Sequence, residues 1–578
     1  MKLFKKLLSY IIAFTMVLSL ATLLGGNVYA TDQDGLKITI NAKEAGHIFE
    51  AYQIFTGDVD TNTPNSPENT NNKILSNIQW GDAITAKSSE LVQDLKTNDT
   101  LKNDFNFAEG TTVKAKDVAD KLSKLNDAEK LNTFAKLVAK CLDSAKAHTS
   151  IYDKTAKKYT INGLKAGYYL VQDKAGSITG NEGVTDKAYT AYILNVVGNT
   201  NVKEKSDIPT VDKKVEQFAD NDVQTQTGNP KNEFKDNADH EIGRTFKFKL
   251  AATVPADVHV SSYDSYELKF NDTMSEGITF EQIDSVVLSD GTDEGTVTVN
   301  PYSESNKDGY ITDKGKNALT NGGVWSLTIP DIKKFNLDLS KAITATVIYD
   351  AHLNENAFVN TTTGETATKN ENDVELEYSN NPNASGLGKT NKKDVYVFAY
   401  GINSTKRANS DTGSTLSGAK FTIKRESKDG SKLKFKQVTT DKETYYLLTT
   451  DAVSEENHVS TTVTSGSDGK FNIRGLDEGT YYFEETEAPA GYNTVDPFTV
   501  KITPTLGTGA NISKASYIEY SNYDANAETH PVYNNIVVDK SGSTLPSTGG
   551  MGTTLLYVAG GILVACAAAY VVLNKKRA

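Results

Sequence analysis

Cysteine is nearly absent: the chain has 2 in 578 residues, and one of them, Cys566, lies in an apolar stretch near the C-terminal end. Cys141 then has no partner in the rest of the chain, which excludes an internal disulfide framework and calls for large cores or another staple. Histidine is also thin, with 7 residues scattered along the sequence and no Cys/His spacing of a zinc site. There is no phosphate-binding glycine loop and no nucleophile elbow. No metal, no cofactor and no enzyme active site are therefore expected. Positive charge is in the minority, 61 Lys and Arg against 74 Asp and Glu for a net −13, which argues against nucleic acid as a partner.

What is present points to β-structure. The 28 Tyr and 21 Phe stand among many Thr and Val, and the length suggests about three or four domains. Both ends have their own character. Lys2, Lys5 and Lys6 precede an apolar run from Leu7 to Leu24 and small residues at Val28 and Ala30, the pattern of a signal peptide over residues 1–30 cleaved after Ala30. At the other end a spacer and Leu545-Pro546-Ser547-Thr548-Gly549 occupy 541–550. Residues 551–578 hold an apolar run, Leu555 to Leu573, and the basic Lys575-Lys576-Arg577. Hydropathy predicts a transmembrane span there with its basic tail in the cytoplasm.

Between the ends the sequence divides into three. Residues 31–205 open and close with strand patterns, and their middle, from Val113 to Ala147, repeats apolar residues at helical spacing: Val118, Leu122, Leu125, Leu131, Phe134, Val138 and Leu142. Residues 206–397 and 398–540 read as short alternating strands separated by Asn, Gly, Pro and Asp clusters. The fold expected is mainly β, in tandem immunoglobulin-like β-sandwich domains, the first with an added helical segment. A weak internal repeat sets Gly167-Tyr168-Tyr169-Leu170-Val171-Gln172 of the first against Thr480-Tyr481-Tyr482-Phe483-Glu484-Glu485 of the third.

Resemblance adds chemistry to this outline. Leu545 to Gly549 resembles the LPXTG signal of sortase substrates, which implies cleavage between Thr548 and Gly549 and transfer of Thr548 to an amine; the catalysis belongs to the sortase. Tyr481 to Tyr492, with its aromatic pair, Glu485-Thr486-Glu487-Ala488-Pro489 and Gly491-Tyr492, resembles the E-box of Gram-positive pilins and of the collagen-adhesin B-type domain. Gly418-Ala419-Lys420-Phe421 is similar to the GAxF strand of the same domain. In that family a Lys on the first strand condenses with an Asn on the last, assisted by a buried acid, to give an isopeptide bond.

Strand phase selects among neighbours, because the three side chains must all face the interior. Tyr400 and Ile402 put Lys406 inward, and Tyr481 and Phe483 put Glu485 inward. The partner is Asn534 if Val532 sets the phase, or Asn535 if Tyr533 does. In 206–397, Val211 and Val215 turn Lys213 inward and leave Lys214 outside. Tyr266, Leu268 and Phe270 point to Asp272 as the acid, with Glu267 the alternative under a shifted phase, and Val374, Leu376 and Tyr378 point to Asn380. The Pro209-Thr210-Val211 start and Tyr378-Ser379-Asn380-Asn381-Pro382 end resemble the central domain of three-domain backbone pilins. Burial lowers an amine pKa and raises that of a carboxyl, so the lysine can attack while the acid moves the protons. Two ammonia losses, about 34 Da, are expected from two such bonds. None is expected in 31–205, where Gln172 is set against Glu485.

The resemblance implies a major backbone subunit of a sortase-assembled surface pilus, secreted and cell-wall anchored. Its partners would be sortases, identical subunits joined head to tail, ancillary pilins, peptidoglycan and host surface ligands. The rival is a monomeric wall-anchored adhesin with the same domains. Pilins offer their acceptor lysine just before the second domain, which selects Lys205 in Val202-Lys203-Glu204-Lys205-Ser206, with Lys203 the alternative; Glu204 stands where the family has Pro. Lys205→Arg keeps the charge without a usable nucleophile. In a denaturing gel of cell-wall extract it should abolish the high-mass ladder and leave wall-linked monomer, whereas an unchanged ladder would exclude Lys205.

Overall fold

The computed structural model describes residues 34–42, 45–59, 75–178, 191–196, 199–203, 208–218, 233–258, 260–361, 364–366, 369–382, 386–521, 535–542 and 551–575. The signal peptide, Lys205, Asn534 and Leu545–Gly549 lie outside these residues; Lys203 and Asn535 are described in their backbone only.

Antiparallel strands in facing sheets make up most of the molecule, as the composition and alternation predict. Strand Thr245–Val254 shows the rule: Phe246, Phe248, Leu250, Ala252 and Val254 are buried while Lys247 and Lys249 lie on the other face. The apolar cores gather accordingly. One is built almost wholly from Val215 to Ala399, a second from Tyr396 to Val537, and two more from residues between Ile54 and Leu170 and between Leu36 and Val196. In the central segment a sheet containing Thr210–Gln217, Thr245–Val254 and Ile343–Leu353 faces one containing Leu268–Met274 and Asn370–Ser379.

The N-terminal segment carries helices Ser88–Thr97, Ala115–Leu122 and Ala128–Lys140, which bury Leu91, Leu95, Val118, Phe134 and Val138 against Ile54, Phe55 and Leu170. The single helical stretch expected from Val113 to Ala147 is thus two helices. The break has a local cause: Asp127 takes an extended backbone and its carboxylate accepts the Lys130 N–H at 3.0 Å, an N-cap that starts a new helix. Helix Ser88–Thr97 escaped the sequence reading.

No helix among the described residues is long and apolar enough to cross a membrane. The span expected over 551–578 is not found among them; the C-terminal helix Met551–Lys575 occupies that stretch.

The central and C-terminal segments meet over a polar junction. Asn237 Nδ2 donates to the Gly507 carbonyl at 2.8 Å and to that of Ile512 at 2.9 Å, and the Ile242 N–H donates to the Gly475 carbonyl at 3.0 Å. Arg425 pairs with Glu241, and Arg244 lies 3.4 Å from Asp477. Two carboxyls are buried at this junction, Asp239 from the central segment and Asp477 from the C-terminal one. Burial, with the charge of Glu478, pushes Asp239 up to about 7, and burial with the nearby Asp239 and Glu241 holds Asp477 well above the carboxylate range. Folded-state pKa values above the unfolded ones mean that this contribution to stability is complete below about pH 4 and is lost as pH rises through about 7. The Tm of the two-segment body should therefore fall over that window by several degrees, at about 2–4 °C per kcal/mol. Asp239→Asn should flatten the slope in calorimetry; a slope identical to that of the wild type would exclude this pair as its source.

Candidate functional site

In the central segment, alternation along Thr210–Gln217 turns Lys213 between the two sheets, where its side chain has no exposed surface. Lys213 Nζ lies 2.5 Å from Asp272 Oδ2 and 2.5 Å from the side-chain carbonyl of Asn372, and it also donates to the Asp373 backbone carbonyl at 3.2 Å. Tyr349, on Ile343–Leu353, donates its hydroxyl to Asp272 at 3.1 Å and accepts Asn372 Nδ2 at 2.6 Å. The rings of Phe248 and Tyr349 lie 5.3 and 5.8 Å from the lysine nitrogen. Burial pushes Lys213 down and Asp272 up, each opposed by the charge of the other. An amine and an acid displaced towards each other in this way share a proton between two neutral forms.

Lys213 and Asp272 thus stand together as strand phase predicts. Glu267, the alternative acid, is half-buried and takes no part in this cluster. Asn380 does not join them. The residue at the lysine is Asn372, on the same inward face of Asn370–Ser379 but eight positions earlier, roughly 26 Å along a strand. The register explains the error. Asp272 is opposite Val374, with Asn372 opposite Met274 beside it, whereas Tyr378 is already opposite Leu268. Asn380 lies past the end of the strand, its N–H on the Gly386 carbonyl at 3.2 Å. Phase is common to both asparagines, and only the cross-strand register separates them.

In the C-terminal segment Lys406 is as deeply buried, on Ser404–Ala408. Its ammonium lies 3.0 Å from Glu485 Oε1 and pairs directly with Asp539 Oδ1; both carboxyl side chains have no exposed surface. Phe421 covers the nitrogen at 5.2 Å and is itself stacked on Phe471 at 4.4 Å. Glu485 also accepts the Val495 N–H at 2.8 Å. Burial pushes Glu485 up to about 7; Lys406 and the Val495 N–H act in the opposite sense, while Asp539 adds to the rise.

Lys406 and Glu485 again come together, and among the described residues the third group is Asp539; Asn534 and the side chain of Asn535 lie outside them. The last strand, Asn535–Asp539, runs parallel to Ser404–Ala408 and places Asn535 opposite Ser404, Val537 opposite Lys406 and Asp539 opposite Ala408. Asn535 is therefore at the start of the pairing, and the side chain that reaches the lysine comes from its far end. Asp539 shares the phase of Asn535; a search confined to asparagine passed over it.

The N-terminal segment keeps part of the same plan. Phe49 is opposite Asp173 as Phe421 is opposite Glu485. Tyr169 donates its hydroxyl to the Lys165 carbonyl at 2.9 Å, as Tyr481 does to Asp477 at 2.8 Å. These pairings align Gly167 with Gly479 and Asp173 with Glu485. The residue at the acid position is consequently Asp173, and Gln172 is the counterpart of Glu484 on the opposite face, one residue away from the alignment read in the sequence. Asp173 Oδ1 lies 2.8 Å from His47 Nδ1, with both side chains buried. His47 precedes Phe49 as Ala419 precedes Phe421, so it enters from the GAxF position and not from a lysine-bearing first strand.

One carboxylate group has a spacing that suits a cation: Glu371, Asp373 and Asp394, all half-buried. Lys392 already lies 3.0 Å from Asp373 and Lys369 3.5 Å from Glu371, so the cluster has counter-charges of its own.

Comparison with known proteins bears on the C-terminal segment. No curated protein matches the chain. Among solved structures, the T6 backbone pilin of Streptococcus pyogenes serotype M6 aligns at 16% identity over 89% of this chain and 100% of its own, with a TM-score of 0.47. The major pilin SpaD of Corynebacterium diphtheriae aligns at 14% identity over 90% of this chain and 100% of its own, with a TM-score of 0.41. A group B streptococcus pilus 2b backbone protein aligns at 24% identity over 53% of this chain and 97% of its own, with a TM-score of 0.34. Residues 402–514 match the family model of the SpaA prealbumin-like fold domain, a stretch that contains Lys406 and Glu485 and stops short of Asp539.

Proposed function

We propose that the chain is a structural backbone subunit of a covalently assembled pilus on a Gram-positive surface, locked internally by two lysine isopeptide bonds. The observation that carries this reading is the pair of fully buried lysines, each seated against an acid and a second side-chain carbonyl from a strand far along the chain. The prealbumin-like match over 402–514 and the LPSTG sequence support it.

The two clusters carry different leaving groups. In the central segment Lys213 Nζ attacks the side-chain carbon of Asn372; a new C–N bond forms, the old one breaks and ammonia departs. In the C-terminal segment Lys406 attacks Asp539 and water departs. In each case one proton passes from the lysine to the leaving group, with Asp272 or Glu485 as carrier, and the acid ends as it began. Packing holds the reactants together, so the fold itself supplies the effective concentration. The bonds join residues 159 and 133 positions apart. If the loop-entropy relation for disulfides transfers, each stabilises by roughly 4–5 kcal/mol.

A sortase then cuts after Thr548 and joins it to Lys205, or Lys203, of the next subunit. An open head-to-tail contact of this kind propagates as a filament. Ancillary pilins, peptidoglycan and a host ligand are the further partners of that assembly.

Peptide mapping with accurate mass tests the internal bonds. The expected result is one loss of about 17 Da linking Lys213 to Asn372 and one of about 18 Da linking Lys406 to Asp539, in place of two ammonia losses. Asn372→Ala should remove the first, while Asn380→Ala should leave it intact. Glu485→Ala should leave the C-terminal segment folded but unlinked, at a cost of a few kcal/mol from removing one partner of the buried cluster. Unmodified lysines at both positions in the wild-type chain would sink the reading.

A further inference from the structure

The two clusters differ in their leaving group, and the central one also contains the hydroxyl of Tyr349. In the C-terminal segment the carboxyls of Glu485 and Asp539 both touch Lys406 directly. There the leaving atom is a carboxyl oxygen of Asp539, and the Glu485 carboxyl shares the same small space. In the central segment the leaving atom is Asn372 Nδ2, which departs only as ammonia and so must receive a proton. Asp272 is well placed to take one from Lys213, at 2.5 Å. Among the described residues, however, the hydrogen-bond partner of Nδ2 is the Tyr349 hydroxyl, at 2.6 Å, and that hydroxyl lies 3.1 Å from each Asp272 oxygen. The hydrogen-bonded path from the acid to the leaving nitrogen runs through Tyr349.

We propose that Tyr349 is a catalytic residue of the central segment, its hydroxyl relaying a proton from Asp272 to the departing nitrogen of Asn372. The proposal rests on the reading of Lys213 and Asn372 as the condensing pair. As Lys213 Nζ bonds to the Asn372 side-chain carbon, Nζ gives its proton to Asp272. The carboxyl proton moves to the Tyr349 oxygen while the phenolic proton moves to Nδ2; the C–Nδ2 bond breaks and ammonia leaves. Asp272 and Tyr349 end in their starting forms, and no other reactant is needed.

Packing suits the residue to this role. Tyr349 has no exposed surface, and its ring is boxed by Phe248 at 5.2 Å, Trp325 at 4.9 Å and Phe280 at 5.7 Å, which fixes the hydroxyl between its two partners. Burial also holds the phenol well above its ordinary pKa, with Asp272 adding to the rise, so it acts by exchanging protons and not as a tyrosinate.

The test follows both bonds in the full chain during cell-free synthesis, by timed quenching and peptide mapping. Tyr349→Phe should slow the central loss of about 17 Da by roughly 100-fold or more, the scale of general acid–base catalysis. The C-terminal loss of about 18 Da in the same molecules should keep its wild-type rate, which controls for synthesis and folding. A central bond that forms in Tyr349→Phe at the wild-type rate overturns the proposal. No central bond in the wild-type chain overturns the underlying reading instead. If Tyr349→Phe misfolds, 3,5-difluorotyrosine at position 349 keeps the ring and lowers the proton affinity of the oxygen. A changed rate with a displaced pH profile supports the relay, and an unchanged rate and profile overturn it.

Discussion

A lysine nitrogen with no access to water is the constraint on which this structure turns. An ammonium buried alone costs several kcal/mol, so a fold that encloses one must bring acceptors to the same depth. Here that demand is met twice. Lys213 has Asp272, the Asn372 amide and a backbone carbonyl around it, and Lys406 has Glu485 and Asp539. The surrounding aromatic rings of Phe248, Tyr349 and Phe421 keep water out and make the same groups reactive. A low-dielectric pocket that penalises charge pushes the Lys213 amine down and the Asp272 carboxyl up.

Topology then decides what the condensation would hold together. Lys213 and Lys406 each sit near the start of their sandwich, and Asn372 and Asp539 beside them come from strands more than a hundred residues later. In the C-terminal segment the two strands run parallel and adjacent, so a bond between them would carry tension from one end of the body to the other without unzipping the sheet. A chain with no disulfide framework needs a staple if it is to work under load, and under the proposed function the buried amine would supply it without a redox requirement.

The N-terminal segment shows the same scaffold with the chemistry removed. Asp173 keeps the position of the acid, opposite Phe49, and His47 closes the cluster with a hydrogen bond from the neighbouring turn. An imidazole satisfies a buried carboxyl but does not form a stable amide with it. The segment is held by packing and by its helices, whose side chains fill a separate core.

Alternation along the strands was enough to identify Lys213, Asp272, Lys406 and Glu485 as interior groups, because a period of two residues assigns each side chain to a face whatever the sheet does. The composition likewise predicts a mainly β chain, and the helical stripe between Val118 and Leu142 marks the one region with a different period. What alternation does not contain is the offset between strands. Asn372 and Asn380 share a face, as do Asn535 and Asp539, and Gln172 differs from Asp173 by a single step in alignment. These choices depend on register, which turns, bulges and distant partners set together. The groups that meet the buried lysines, the acid of the N-terminal segment and the hydroxyl of Tyr349 were therefore decided only by tertiary structure. A strand carries the direction of its side chains in its own sequence, but the groups they meet belong to other strands.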